Sequence, residues 1–208
     1  NTINASGIGF RGGVELDANS TTDNIANVTE ASNDAGGKGE GIAGTPKRVY
    51  DGSSVVDEGS STLAGGDFGR GAPGNAGGGA GPHNSGGGGG SNAGRGGIGA
   101  QGWVGGTPVH FAGYGGQSIF AGANMGGGGG SGESNGNSVT HGGLGGGVII
   151  LRANTATGSG NVNASGSDAL DGTATGSEDG AGGAGAGGSI LMYFDTPPTL
   201  PGLTVNAN

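Results

Sequence analysis

The chain has no cysteine in 208 residues. Disulfides, thiolate catalysis and Cys-ligated zinc are therefore excluded. Cations are scarce as well: seven Lys and Arg stand against sixteen Asp and Glu, a formal net charge of -9. Apart from Lys47-Arg48 they are scattered singly. Phosphate recognition needs clustered cations, so the pattern argues against nucleic acid and against an anionic membrane surface. Apolar residues make up 30 % and aromatics 4 %, too little for one conventional core spanning the whole length. No apolar run approaches the roughly 20 residues of a membrane-spanning helix. Helix formers are sparse and no apolar period of 3.6 is sustained, so an α-helix of any length is not expected. No Met or leader pattern opens the chain, and Asn1 reads as a processed or internal start.

What the chain has is glycine, 60 residues of it. The runs Gly77–Gly79, Gly86–Gly90, Gly126–Gly130 and Gly145–Gly147 dominate the stretch from Gly36 to Gly147. Glycine loses more backbone freedom on folding than any other residue and has no side chain to bury. One outcome is a flexible linker. The other is order held by the backbone itself. Extended threefold helices of the polyproline type make no internal hydrogen bonds, so every N–H and C=O must find a lateral neighbour. Only glycine lets such helices approach on all sides. Each lateral bond contributes on the order of 1 kcal/mol net, against roughly 1–2 kcal/mol per ordered residue. Such a bundle therefore needs β-structure to fix its ends.

Two short motifs repeat. The first is Thr2-Ile3-Asn4-Ala5-Ser6-Gly7, Asn161-Val162-Asn163-Ala164-Ser165-Gly166 and Thr204-Val205-Asn206-Ala207-Asn208. The second closes a glycine tract each time, as Gly146-Gly147-Val148-Ile149-Ile150-Leu151-Arg152-Ala153-Asn154-Thr155 and Gly187-Gly188-Ser189-Ile190-Leu191-Met192-Tyr193-Phe194-Asp195-Thr196. Each copy of the second is followed by a Gly- or Pro-containing turn and then the first, which reads as strand, turn, strand. Ordered repetition of one such unit is the signature of a solenoid or array. Further candidate strands are Val14–Leu16, Ile25–Val28, Lys47–Tyr50, Val109–Phe111 and Ile119–Phe120.

The expected fold is all-β: short strands, solenoid- or sandwich-like, combined with an ordered bundle of polyglycine II-type helices. Residues 1–208 read as a single module of a longer repetitive protein. Within it, 36–147 is a glycine-rich bundle insertion, and 1–35 and 148–208 are flanking β-strand repeats.

The segments Gly37-Lys38-Gly39-Glu40-Gly41-Ile42-Ala43-Gly44-Thr45-Pro46, Gly71-Ala72-Pro73-Gly74-Asn75-Ala76-Gly77-Gly78-Gly79 and Gly145-Gly146-Gly147-Val148-Ile149-Ile150 resemble glycine-rich modules of large secreted surface proteins of Bacteroidota. Those are similar to gliding-type adhesins exported by type IX secretion. The resemblance implies an extracellular or cell-surface filament that attaches to cells or substrata, and brings no catalytic residues. The C-terminal sorting domain of such proteins is not evident here. A second, structural resemblance is to glycine-rich tips of phage tail adhesins and to glycine-helix antifreeze proteins.

Candidate sites are few. With this much glycine, a Gly-x-Gly-x-x-Gly pattern carries no information about nucleotides, and no phosphate loop surrounds Lys38 or Lys47. His83, His110 and His141 are far apart and form no metal or triad signature. No nucleophile–base pair can be assembled, so the chain is expected not to be an enzyme and to need no cofactor. Trp103, Phe111 and Tyr114, with Phe120, interrupt the glycine tract. They form either an exposed platform for glycans or a receptor, or a small hydrophobic plug, the favoured reading where apolar groups are so few. Asp168, Asp171, Glu178 and Asp179 lie in a Gly/Ser/Thr loop whose oxygens are the candidates for calcium. Their spacing matches neither the EF-hand nor the nonapeptide calcium repeat, and a solvated acidic loop is the favoured reading. Asp51, Asp57, Glu58 and Asp67 form a weaker group of the same kind.

The expected function is a rigid structural or adhesive module. Its partners would be other copies of the chain, neighbouring modules, or a host or prey cell surface and its glycans. The alternatives are a carbohydrate- or receptor-binding tip and, third, an ice-binding glycine-helix protein.

Overall fold

A computed structural model describes residues 1–15, 35–81, 84–104, 107–108, 111–119, 122–134, 140–170 and 179–208, with side chains for all of these except 103–104 and 107–108. The described residues contain ten short strands and no helix: β1 Thr2–Asn4, β2 Gly12–Gly13, β3 Arg48–Tyr50, β4 Val55–Asp57, β5 Trp103–Val104, β6 Thr107–Pro108, β7 Val148–Ala153, β8 Gly160–Asn163, β9 Ser189–Phe194 and β10 Leu203–Asn206. No helix among them could cross a membrane.

The sequence repeats become neighbours in space. The three copies of the first motif form a parallel sheet in the order β1-β8-β10. Their registers match the sequence alignment: Thr2, Asn161 and Thr204 stand side by side, then Ile3, Val162 and Val205, then Asn4, Asn163 and Asn206. The two copies of the second motif pair in parallel as β7 and β9, with Ile149 beside Ile190 and Leu151 beside Met192. Between these sheets lies an apolar cluster of Ala5, Ile149, Val162 and Ala164, with Leu151, Ile190, Met192 and Leu203 against it. On the outer side, the Asn206 amide donates to Asn163 Oδ1 at 2.8 Å. The third equivalent residue, Asn4, instead accepts from the Ser6 N–H at 3.1 Å.

A separate antiparallel sheet runs β2-β3-β4. β3 falls inside the expected strand Lys47–Tyr50. β4 was not anticipated, since two valines amid Ser and Asp carry little periodic signal. Val14 and Glu15 follow β2 without joining it, Phe111 and Ile119 lie outside strands, and Leu16, Ile25–Val28, Val109 and Phe120 are outside the described residues.

The glycine tracts are held by backbone bonds whose partner changes at every residue and returns every third. Gly126, Gly129 and Gly132 donate N–H to the carbonyls of Gly146, Gly143 and Thr140. Gly127, Gly130 and Glu133 donate to Ser91, Gly88 and Ser85, while Gly128 and Ser131 donate to Glu40 and Gly37. These eight bonds are 2.8–3.1 Å long, and all three receiving segments run antiparallel to 126–133. The tract 86–91 does the same. Gly86 and Gly89 donate to Ala100 and Gly97, Gly87 and Gly90 to Ala181 and Ala184, and Gly88 and Ser91 to Gly78 and Asn75. The network also takes in 180–188, where Gly183 donates to Gly130 and Ala186 to Gly127.

Glycine is required here for clearance, not for left-handed backbone. No residue of Gly77–Gly79, Gly86–Gly90, Gly126–Gly130 or Gly145–Gly147 has a positive φ. A Cβ on Gly129 would stand 1.8 Å from the Gly183 carbonyl oxygen, and one on Gly77 1.8 Å from that of Gly88. Several residues flanking these runs are small and buried, among them Ala76, Ala80, Ser85 and Ser131. Asn75 is fully buried as well. Its Oδ1 accepts from the Ile42 N–H at 2.9 Å, and its Nδ2 donates to the carbonyls of Ser91 and Met125, each at 3.2 Å.

Candidate functional site

The expected aromatic group is partly assembled, around a residue the sequence did not point to. The Arg70 guanidinium carbon lies 4.6 Å from the ring centroids of both Phe111 and Tyr114. Arg70 is 7 % exposed, and its Nε donates to the Ala112 carbonyl at 2.9 Å. A buried cation is held best where ring faces and carbonyl oxygens replace water. Phe111 is half-buried and Tyr114 is 40 % exposed. Tyr114 also lines an open groove of about 490 Å³ with Arg95, Ile98 and Gln117. Trp103 belongs to the β5–β6 pair, but its side chain lies outside the described residues, as does Phe120. The signal that could have marked Arg70 is its isolation: a lone arginine between glycine tracts has few anionic neighbours in sequence.

The acidic loop is not assembled by the described residues. Asp168 is exposed. The Asp179 carboxylate accepts from Ser134 Oγ at 3.2 Å. Asp171 and Glu178 lie outside the described residues, and among the described ones no group of three metal-ligating side chains forms. The second acidic group is occupied by local contacts. Asp51 Oδ1 accepts from the N–H groups of Ser53 and Ser54, both at 2.8 Å, and those bonds hold its pKa down to about 2. Asp57 caps the Gly59 N–H at 2.7 Å, and Asp67 accepts from the Lys47 N–H at 3.2 Å and from Ser61.

One ion pair ties β2 and β4 to the glycine-rich segment at Glu40. Arg11 Nε and Nη2 reach the two Glu40 oxygens at 2.8 and 2.9 Å, and Nη1 contacts Glu58. Burial opposes ionisation of Glu40, but hydrogen bonds from Arg11 and Thr45 outweigh it and keep its pKa below the usual range. The Glu40 hydrogen bond likewise raises Arg11.

Of the three histidines, His83 and His110 lie outside the described residues. His141 is buried. Its Nδ1 accepts from the Glu15 N–H at 2.9 Å, and its ring centroid is 4.6 Å from that of Tyr50. Burial and, secondarily, the charge of Arg48 push its pKa down. That arrangement is a packing contact at a sheet–tract junction.

The strand layers hold a feature that sequence reading missed. Between the two parallel sheets lies an apolar cavity of about 290 Å³, lined by Ile3, Leu151, Val162, Met192, Phe194 and Leu203. Periodicity marked these residues as strands, but a cavity depends on how the two sheets come together. Comparison of the chain with protein-family models, with curated proteins and with solved structures finds no match.

Proposed function

We propose that this chain is a non-catalytic structural module of an extracellular surface adhesin or filament, of the kind its glycine-rich segments resemble in Bacteroidota gliding-type adhesins. The observation that carries the reading is the return of each backbone partner every third residue along 86–91 and 126–133. We take these segments to be polyglycine II-type helices, which have a threefold repeat and bond only to neighbours. A bundle so bonded resists bending because each segment is tied on several sides, and it does so without disulfides. The role needs no cofactor and no catalytic residue, and its natural partners are further modules or copies and the surface to which the filament attaches.

The test is mechanical and chemical together. Chain 1–208 is pulled between its ends by force spectroscopy, and its glycine amides are followed by hydrogen exchange. The reading expects a distinct high-force event together with strong protection of Gly87–Gly90 and Gly127–Gly130. Featureless extension and fast exchange of those amides would overturn it.

The groove beside Tyr114 supports a second reading, a carbohydrate-binding tip. An exposed tyrosine face braced by Arg70, with Arg95 and Gln117 beside it, presents an aromatic platform with polar donors. A glycan array decides it: binding lost in Tyr114→Ala favours this reading, and a blank array removes it.

A further inference from the structure

The carboxylates are unevenly spread along the chain. All sixteen Asp and Glu lie either within residues 1–67 or within 133–208. The stretch 68–132 holds none, and its charged residues are Arg70 and Arg95. With histidine neutral, two arginines and no acid give it a net charge of +2 inside a chain of net charge -9.

The groove of about 490 Å³ beside Tyr114 is lined entirely from this stretch. Arg95, Ile98, Tyr114 and Gln117 supply its larger side chains, and the rest of its wall is glycine and Ala72. Its volume falls within the roughly 300–1,000 Å³ of small-ligand pockets. Arg95 is exposed and, unlike Arg11, forms no ion pair among the described residues. Arg70 is buried against the Tyr114 ring, where its charge is screened less than a surface one. The backbone adds a donor. Along 113–117 the N–H groups leave in three directions: Gly113 and Gly116 donate to Gly86 and Gly89, and Tyr114 and Gln117 to Arg70 and Gly74. The N–H of Gly115, the third direction, has no acceptor among the described residues, and Gly115 lines the groove.

We propose that this groove binds a sugar acid, with the carboxylate of a uronic or sialic acid residue on Arg95 and the sugar ring against Tyr114. The inference rests on the carbohydrate-binding reading of the same groove and narrows it to one class of glycan. A planar guanidinium pairs with a carboxylate through two parallel N–H donors. The C–H face of the sugar ring packs on the exposed tyrosine, while the Gln117 amide and the Gly115 N–H answer hydroxyl and ring oxygens. The acids that dominate the rest of the chain disfavour an anion elsewhere on its surface, so the acid-free stretch sets where such a ligand settles. One exposed arginine beside one aromatic face suits a ligand with one charge per sugar unit. A nucleic-acid backbone would call for clustered cations.

The experiment presents the 208-residue chain with immobilised glycans ending in glucuronate, galacturonate or sialic acid. Each is paired with the same glycan whose carboxyl has been reduced to an alcohol. At least one carboxylated glycan should bind at least about fivefold more tightly than its reduced partner. Arg95→Gln should erase that preference and leave the weaker binding of the reduced glycan, whereas Tyr114→Ala should remove both. Because Arg95 is exposed, an unchanged melting temperature checks that Arg95→Gln folds. Added salt should weaken the carboxylated glycan and spare the reduced one. Equal binding within every pair overturns the sugar-acid inference and leaves the carbohydrate reading standing. A preference that survives Arg95→Gln overturns it as well, by placing the carboxylate elsewhere. A short polyglutamate peptide that displaces the glycan at equal concentration would assign the groove to an acidic peptide instead. Failure of every glycan to bind overturns both readings together.

Discussion

The stacked strands and the glycine tracts meet the same demand with opposite compositions. Both are built from extended segments that bond only sideways, to neighbours distant in sequence. In the strands, bonds leave in the plane of the sheet, so the faces stay free for Ile149, Val162 and Leu203. In the tracts, bonds leave in three directions in turn, and the space a side chain would use is taken by a neighbouring carbonyl. A period of two permits large side chains on the faces, whereas a period of three leaves no face. The poverty of apolar residues and the wealth of glycine therefore have one cause.

The comparison is broken most directly by adding a side chain to a tract. Gly129→Val puts branched carbon where the Gly183 carbonyl stands. It should cost more than about 4 kcal/mol, the range reserved for severe overpacking and strain. Denaturant unfolding measures it, and a cost under about 1 kcal/mol would show that the tracts are not close-packed. The opposite change tests the strands. Ile149→Ala empties a buried position and should cost about 2–5 kcal/mol by the same measurement, while leaving amide protection in 126–133 in place. If that protection disappears as well, the two regions unfold as one unit.

Acid should separate the regions by degrees. His141 is held neutral in the folded chain, with a pKa below its unfolded value of about 6.5. The unfolded state then binds the proton more readily, so this contribution is full above about pH 6.5 and is lost as pH falls through the folded pKa. Glu40, also depressed, loses its contribution as pH falls below the ordinary glutamate range near 4.5. His141 contacts Tyr50 and Glu15, and Glu40 contacts Arg11, all away from β7–β10. Hydrogen exchange at about pH 5.5 against about pH 7.5, on either side of the ordinary histidine range, should show the amides of 140–145 weakening before those of Ile149–Leu151. His141→Gln should flatten the difference. Simultaneous loss would leave His141 without a distinct role. The smallest effect belongs to Gly97→Ala, where an added Cβ meets nothing within 4 Å. Its melting temperature should change by the equivalent of no more than about 0.5 kcal/mol, which sharpens the contrast with Gly129.

What could be read from the sequence follows the same division. The stacking of Thr2–Gly7, Asn161–Gly166 and Thr204–Asn208 was legible because each copy repeats side chains that pair in register. The absence of helix among the described residues was legible from composition. Which glycine tract lies beside which was not, because Gly87 and Gly128 look alike in sequence while their neighbours differ. Arg70 between Phe111 and Tyr114 was missed for a related reason: the contact joins segments separated by featureless glycine. The cavity beside Ile3 was hidden because its walls come from β1, β7, β8, β9 and β10 together, segments far apart in sequence.

Asn75 gives the glycine network something the glycines cannot. Within a glycine run, a slide by three residues replaces one backbone bond with an equivalent one, so the backbone bonds themselves carry no address. Asn75 holds Ile42, Ser91 and Met125 at once through three different hydrogen bonds, and only one alignment satisfies all three. The long glycine runs are written in a single letter, and a fully buried amide supplies the punctuation that makes them readable.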